Sequence, residues 1–206
     1  MSSKPNGSVA VLRESPLVGV DFSALGLPER VLCLAEVPFL THINLRGDPA
    51  NKSFVSAVES VIKVSLPLHA GTVTLAPTTT VVWCGPDEWL IIVSEDSQPC
   101  LADELSDVVR SMRSQVTDIS GGNTIIDIRG ERARDLLKKA STLDVHASVF
   151  QVGQSALSTF AHAQAAIYQY DSAPGYRVVI RRSYADYVAH WLIAAAKEFS
   201  LGQPMR

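Results

Sequence analysis

Apolar and polar residues alternate along VLCLAEV (residues 31–37) and FLTHINL (residues 39–45), the period-two pattern of strands with one buried face. In the second stretch Phe39, Thr41, Ile43 and Leu45 share one face. The period then changes. RGDPANKSFVSAVESVI (residues 46–62) sets Phe54, Val58, Val61 and Ile62 on one helical stripe, with Asp48 suited to the N-cap and Pro49 to the first helical position. GTVTL, TTVVWC and EWLIIV follow as three short strands. A helix is predicted near residues 99–113, with Leu101, Leu105, Val108, Val109 and Met112 facing inward.

The same order returns in the second half. NTIIDIRG (residues 123–130) reads as a strand, and ERARDLLKKA (residues 131–140) as a helix burying Ala133, Leu136, Leu137 and Ala140. SALSTFAHA (155–163), AAIYQYD (165–171) and YRVVIRR (176–182) read as three further strands. A closing helix starts with Ser183 as N-cap and Asp186 three residues on, a capping-box variant. Its apolar stripe is broad: Tyr184, Tyr187, Val188, Trp191, Leu192, Ala195 and Phe199. Short segments also match between the halves. INLRGD (43–48) aligns with IDIRGE (126–131), and EWLIIV (88–93) with GYRVVI (175–180). Each half has an Arg-Gly-acid corner between a strand and a helix, where Gly47 and Gly130 suit a tight turn. These features predict a pseudo-duplicated α+β fold: two mixed sheets, each covered by helices. The first repeat is set at 31–114 and the second at 115–206, packed as one compact body. Residues 1–30, rich in Ser, Pro and Gly, read as an extended arm that packs on a partner or on its own body.

Composition narrows the classes. The chain has 206 residues, 47% hydrophobic and 19% charged, enough for one sizeable domain or two intimate ones. A net charge of −3 provides no basic field for nucleic acid, and Arg177, Arg181 and Arg182 read as a solvated or ion-paired rim. Cys33, Cys84 and Cys100 are far apart, with no C-x-x-C and no histidine at metal-ligand spacing, so free thiols in a reducing compartment are expected. Arg13 and Glu14 interrupt the apolar stretch near the start, unlike a signal peptide, and no run is long enough to cross a bilayer. The expected location is cytoplasmic.

Candidate chemistry is sparse. In VVWCGPDEWLIIV (residues 81–93) two strands flank a turn bearing the adjacent acids Asp87 and Glu88, bracketed by Trp83 and Trp89. Pro-Asp is an ordinary turn pair, and the tryptophans suit hairpin packing or an interface. Asp118 and Asp127 flank another turn; such acids do general acid–base work only if their surroundings split their pKa values. The five histidines, His42, His69, His146, His162 and His190, are scattered without orienting partners. SGGNT (residues 120–124) lacks the spacing of a dinucleotide or phosphate loop, and the common hydrolase and metalloprotease motifs are missing. The residues assemble no catalytic, cofactor or metal site.

Taken in order, NLRG, CGPDEWLIIV, VTDIS…IDIRGERARDLLKKASTLDVH and VVIRRSYADYVAHWLIAAA resemble the gamma subunit of heterotetrameric sarcosine oxidase, from about residue 28 to 199. One departure is local: the family tends to carry Gly-Cys-Pro where this chain has Ala140-Ser141-Thr142. The resemblance implies a fold similar to the folate-binding domain of the aminomethyltransferase (T-protein) superfamily. It implies a non-catalytic gamma subunit working with alpha, beta and delta subunits, with FAD, FMN, NAD and zinc held on those other chains. The complex would demethylate sarcosine oxidatively to glycine, make hydrogen peroxide, and yield 5,10-methylenetetrahydrofolate when tetrahydrofolate is present. Under that reading the arm and the hairpin residues Trp83, Asp87, Glu88 and Trp89 are interface candidates. The alternative is a free-standing folate-dependent one-carbon transferase or folate-binding protein of the same superfamily, with Asp118 or Glu88 as its pocket carboxylate. The Lys-Gly-Cys motif usual in the folate-dependent repair proteins is absent.

Overall fold

The computed structural model describes residues 13–94 and 100–200; the first part of the arm and Pro99, where the second helix was expected to open, lie outside them. In chain order the strands and helices are β1 (Cys33–Val37), β2 (Leu40–Gly47), α1 (Lys52–Ile62), β3 (Val73–Leu75), β4 (Thr79–Gly85), β5 (Glu88–Ser94) and α2 (Leu101–Val109). There follow β6 (Ser114–Asp118), β7 (Asn123–Arg129), α3 (Ala133–Ala140), β8 (Ser155–Phe160), β9 (Ala163–Asp171), β10 (Gly175–Arg181) and α4 (Arg182–Ala196).

The strands form two five-stranded sheets, ordered β3-β4-β5-β2-β6 and β8-β9-β10-β7-β1. Both are antiparallel throughout, which corrects the expectation of mixed sheets. The reason is connectivity. Helices α1 and α3 carry the chain to the far edge of a sheet instead of back beside the strand they leave, and tight hairpins do the rest. The two orders correspond strand for strand, and so do the registers: Ile43 faces Ile91 as Ile126 faces Val178, and Arg46 faces Glu88 as Arg129 faces Gly175. Each half gives its first strand away. β1 pairs with β7 in the later sheet and β6 with β2 in the earlier one, so the sheets cross the division at residue 114.

Three cores make four layers. Ile43, Leu45, Trp89 and Ile91 on one sheet pack against Phe54, Val58, Leu101 and Leu105 of α1 and α2. Ile126, Ile128, Tyr176 and Val178 on the other pack against Leu136, Leu137, Val188 and Leu192 of α3 and α4. Between the sheets, Val82, Leu90 and Ile92 meet Ile125, Tyr168 and Val179. Burying a side chain of this size contributes about 1.5–3 kcal/mol, so the helix stripes read from periodicity stabilise the fold together with the strand faces they cover. The described part of the arm packs on its own body: Leu17 is buried in the α3–α4 core, with Val20, Phe22, Leu25 and Leu27 against it.

Several local expectations need correction. α1 is capped by Asn51, whose side chain accepts from the Ser53 and Phe54 amides; Asp48 closes a turn on Ala50 instead. α4 begins at Arg182 with no side-chain cap, so Ser183 lies inside the helix. Val108, Tyr184 and Tyr187 are exposed, because each helix packs on its sheet along one side only. Phe39 falls in the β1–β2 turn at φ 57°, outside the strand face assigned to it. The strand read through residues 155–163 turns back at Ala161 and His162, both at positive φ.

Candidate functional site

The hairpin tip separates its two acids. Glu88 opens β5, where register sets it opposite Arg46 on β2. Arg46 Nη2 donates to Glu88 Oε2 at 2.6 Å, and Asn44 Nδ2 donates to Oε1 at 2.7 Å. The Arg46 hydrogen bond is the main reason the Glu88 carboxyl lies below its usual range. Asp87 is exposed in the turn, and its carbonyl accepts from the Gly47 amide. The pair builds a corner; the carboxylates converge on no common point.

Trp89 is wholly buried and donates Nε1 to the Pro67 carbonyl at 2.8 Å, with its ring centroid 6.0 Å from that of Phe54. Its counterpart in the second half, Tyr176, is equally buried, accepts from Arg134 Nε at 2.9 Å and stacks on Phe150. Trp89 is thus a core residue and offers no surface to a partner, which removes it from the interface candidates. Trp83, opposite it across the hairpin, stays half-buried.

Asp118 and Glu88 lie on opposite sides of β2, on β6 and β5. Asp118 is exposed, and its Oδ1 accepts from the Ser120 amide at 2.8 Å and from the Ser120 hydroxyl. Asp127 belongs to the other sheet. It is buried, 3.5 Å from Arg129 and 4.0 Å from Arg177, beside Tyr168 and Tyr170. Burial is the leading cause raising both tyrosines, with Asp127 reinforcing it. Cys84 is likewise pushed up to about 11, chiefly by burial, which favours the thiol over the thiolate. Among the described residues no group of three or more His, Cys, Asp or Glu could hold a metal ion, and no helix is long and apolar enough to cross a membrane.

The residue that the sequence did not single out is His42. Strand alternation sets it opposite in direction to Ile43, and β2 was expected to have one wet face. Because a second sheet covers that face, the imidazole is 1% exposed, and neither ring nitrogen meets a partner with hydrogen-bond geometry among the described residues. Burial drives its pKa down to about 4, outweighing the Leu40 backbone and the Asp118 charge, which act the other way. His42 lines a cleft of about 450 Å³ beneath the arm, together with Arg13, Phe39, Ser120, Asn123 and Arg182. A polar residue on the inner face of a two-sheet sandwich was the signal available, but it is readable only once the second sheet is known.

Two antiparallel sheets pack face to face, with helices outside both and the edge strands exchanged. The structure superposes on the glycine cleavage system aminomethyltransferase T from Bartonella henselae with a TM-score of 0.59, at 13% identity, over 81% of this chain and 49% of that one. At that identity the likeness is one of fold alone. The chain belongs to the sarcosine oxidase, gamma subunit family, whose profile matches residues 46–198. It is 30% identical to the sarcosine oxidase subunit gamma of Corynebacterium sp. (strain U-96) over 176 residues, covering 85% of this chain and 84% of that one. The corresponding subunit of Arthrobacter sp. is 30% identical over 191 residues, 92% of each chain. A chain of the heterotetrameric sarcosine oxidase from Corynebacterium sp. U-96, solved in complex with pyrrole 2-carboxylate, superposes with a TM-score of 0.84 at 28% identity, covering 94% of this chain and 99% of that one.

Proposed function

We propose that this chain works as the non-catalytic gamma component of a cytoplasmic sarcosine oxidase, assembled with alpha, beta and delta subunits. In that assembly FAD, FMN, NAD and zinc belong to the other chains. The complex demethylates sarcosine to glycine with formation of hydrogen peroxide, and of 5,10-methylenetetrahydrofolate when tetrahydrofolate is supplied. The observation that carries this reading is the likeness over nearly the full length of a chain solved inside such a heterotetramer. The bonding of the acids agrees with it: Glu88 is held by Arg46 and Asn44, and Asp118 by Ser120. Trp83 and Asp87 at the hairpin tip remain interface candidates, joined by the exposed Tyr184 and Tyr187 of α4, because tyrosine and tryptophan are enriched where subunits meet.

The test is a tagged pull-down from native cells, scored for bound flavin and sarcosine-dependent peroxide. A yellow complex with several further chains that makes peroxide supports the reading. A colourless chain alone, or a well-folded chain that binds reduced folate in calorimetry, overturns it in favour of a free-standing folate protein.

A further inference from the structure

Three departures from what folding alone favours meet in the cleft above His42. The first is the imidazole itself, buried with neither ring nitrogen in good hydrogen-bond geometry to any of the described residues, the Leu40 backbone included; leaving a buried donor or acceptor so poorly served is unfavourable, and a leucine there would avoid it. The second is Phe39, which holds φ 57° and leaves its ring half-exposed on the rim, with the Arg13 guanidinium 5.2 Å from the ring centroid. A bulky residue in the left-handed region is a strained choice where glycine would serve. The third is the start of α4. This 15-residue helix has no side-chain cap and no acid in its first turn, so neither of the usual side-chain devices offsets its amide donors and positive dipole end. Its first residue, Arg182, lines the same cleft and donates to the Gly121 carbonyl at 3.3 Å.

Amide donors and positive charge beside a buried, poorly served imidazole suit an acceptor-only ligand. The neighbouring acids are mostly engaged. Glu36 accepts from Ser15 and Thr124, and Asp118 from Ser120, which leaves Glu14 as the carboxylate lining the cleft. We propose that this cleft is a carboxylate-binding site. A carboxylate oxygen accepts from the His42 ring N–H, Arg182 and the amino end of α4 supply the counter-charge, and the body carrying the carboxylate lies against Phe39 and Leu40. The carboxylate belongs either to a free small organic acid or to an acidic side chain of a neighbouring subunit; the recognition chemistry is the same. The inference does not depend on the assembly proposed above, since the full chain alone is enough to test it.

The full chain, labelled with 15N-histidine, is titrated with benzoate and, as the neutral isostere, benzamide, following the His42 ring signals. In parallel, the chain with benzoylphenylalanine in place of Phe39 is irradiated in its native cells, and any cross-linked neighbour is mapped. A saturable His42 response to benzoate, at least tenfold weaker for benzamide and about tenfold weaker in Arg182→Ala, establishes a site open to free acids. A cross-link to an acidic segment of another subunit, with Arg182→Ala weakening co-purification, assigns the carboxylate to that subunit. An equal response to benzamide, or a folded chain with neither benzoate response nor an acidic cross-link, overturns the site. Failure of the chain to co-purify with any partner, with the benzoate response intact, overturns only the assembly reading.

Discussion

The ring of Phe54 occupies the space that a side chain on Gly47 would enter: a Cβ built there would sit 2.2 Å from the Phe54 ring carbon Cζ. The end of β2 and the first turn of α1 are thus locked together by the absence of a methyl group. Gly130, in the matching corner of the second half, is needed for another reason. It holds φ 112°, and a Cβ there would meet the Val31 carbonyl oxygen at 2.8 Å. Equivalent positions in the repeat keep glycine for unlike causes. Gly47→Ala should lower stability by about 1–3 kcal/mol through overpacking. Gly130→Ala should lower it more, because the obstacle is backbone and the dihedral is unfavourable as well. Urea unfolding of both variants checks the order; a neutral Gly130→Ala would contradict this account.

Trp89 and Trp83 separate stability from assembly. Trp89→Ala empties a buried site and removes the bond to Pro67, so a loss of about 3–5 kcal/mol is expected. Trp83→Ala, half-exposed, should leave the chain folded and reduce recovery of the partner subunits. Calorimetric melting read beside co-purification distinguishes the two, and equal effects on both readouts for both variants would count against the division.

The Arg46–Glu88 contact joins partly exposed side chains, and pairs of that kind contribute about 0.2–1 kcal/mol. A double-mutant cycle with Arg46→Met and Glu88→Gln should return a coupling in that range, shrinking in high salt. Because the folded carboxyl lies below its unfolded value of 4.5, the contribution is full above that pH and disappears as pH falls through the lowered value. A coupling of several kcal/mol would reveal a buried network at the hairpin tip.

His42 titrates with the opposite chemistry and the same sign. It is neutral when folded, with a pKa near 4 against 6.5 unfolded, so between those values the unfolded chain binds more protons. Stability should rise with pH across that window, by about 3 kcal/mol in all, and level off above it. In His42→Phe that dependence should vanish and stability at neutral pH should increase by about 1–2 kcal/mol, as two poorly served nitrogens are removed. Denaturant midpoints from pH 4 to 7 check both; an unchanged slope in the variant would sink the assignment.

The helix stripes were legible because burial follows period: Phe54, Val58, Leu105, Leu136 and Leu137 are all core residues. The repeat was legible from IDIRGE and INLRGD because the two corners share a register in three dimensions. β6 is not legible as a strand, since SQVTD is a short polar edge with few apolar residues to show a period. The turn at Ala161 and His162 was hidden because neither residue is typical of a hairpin with positive φ at both positions. Pro-Asp marks the turn at Asp87, while Glu88 beside it already belongs to β5. The burial of His42 is hidden in the sequence because a single strand reveals nothing about what covers its second face.

The exchange of β1 and β6 also imposes an order in time. Glu36 and Cys33 on β1 bond to Thr124 and Arg129 on β7, residues 88 and 96 positions later. At ribosomal speeds of about 5–20 residues per second, β1 emerges on the order of 5–20 s before the strand it needs. During that interval the sheet containing β2, β4 and β5 can form, while β1 waits as an unpaired edge. An element among the first to be made is therefore left without its strand partner until well past the middle of the chain.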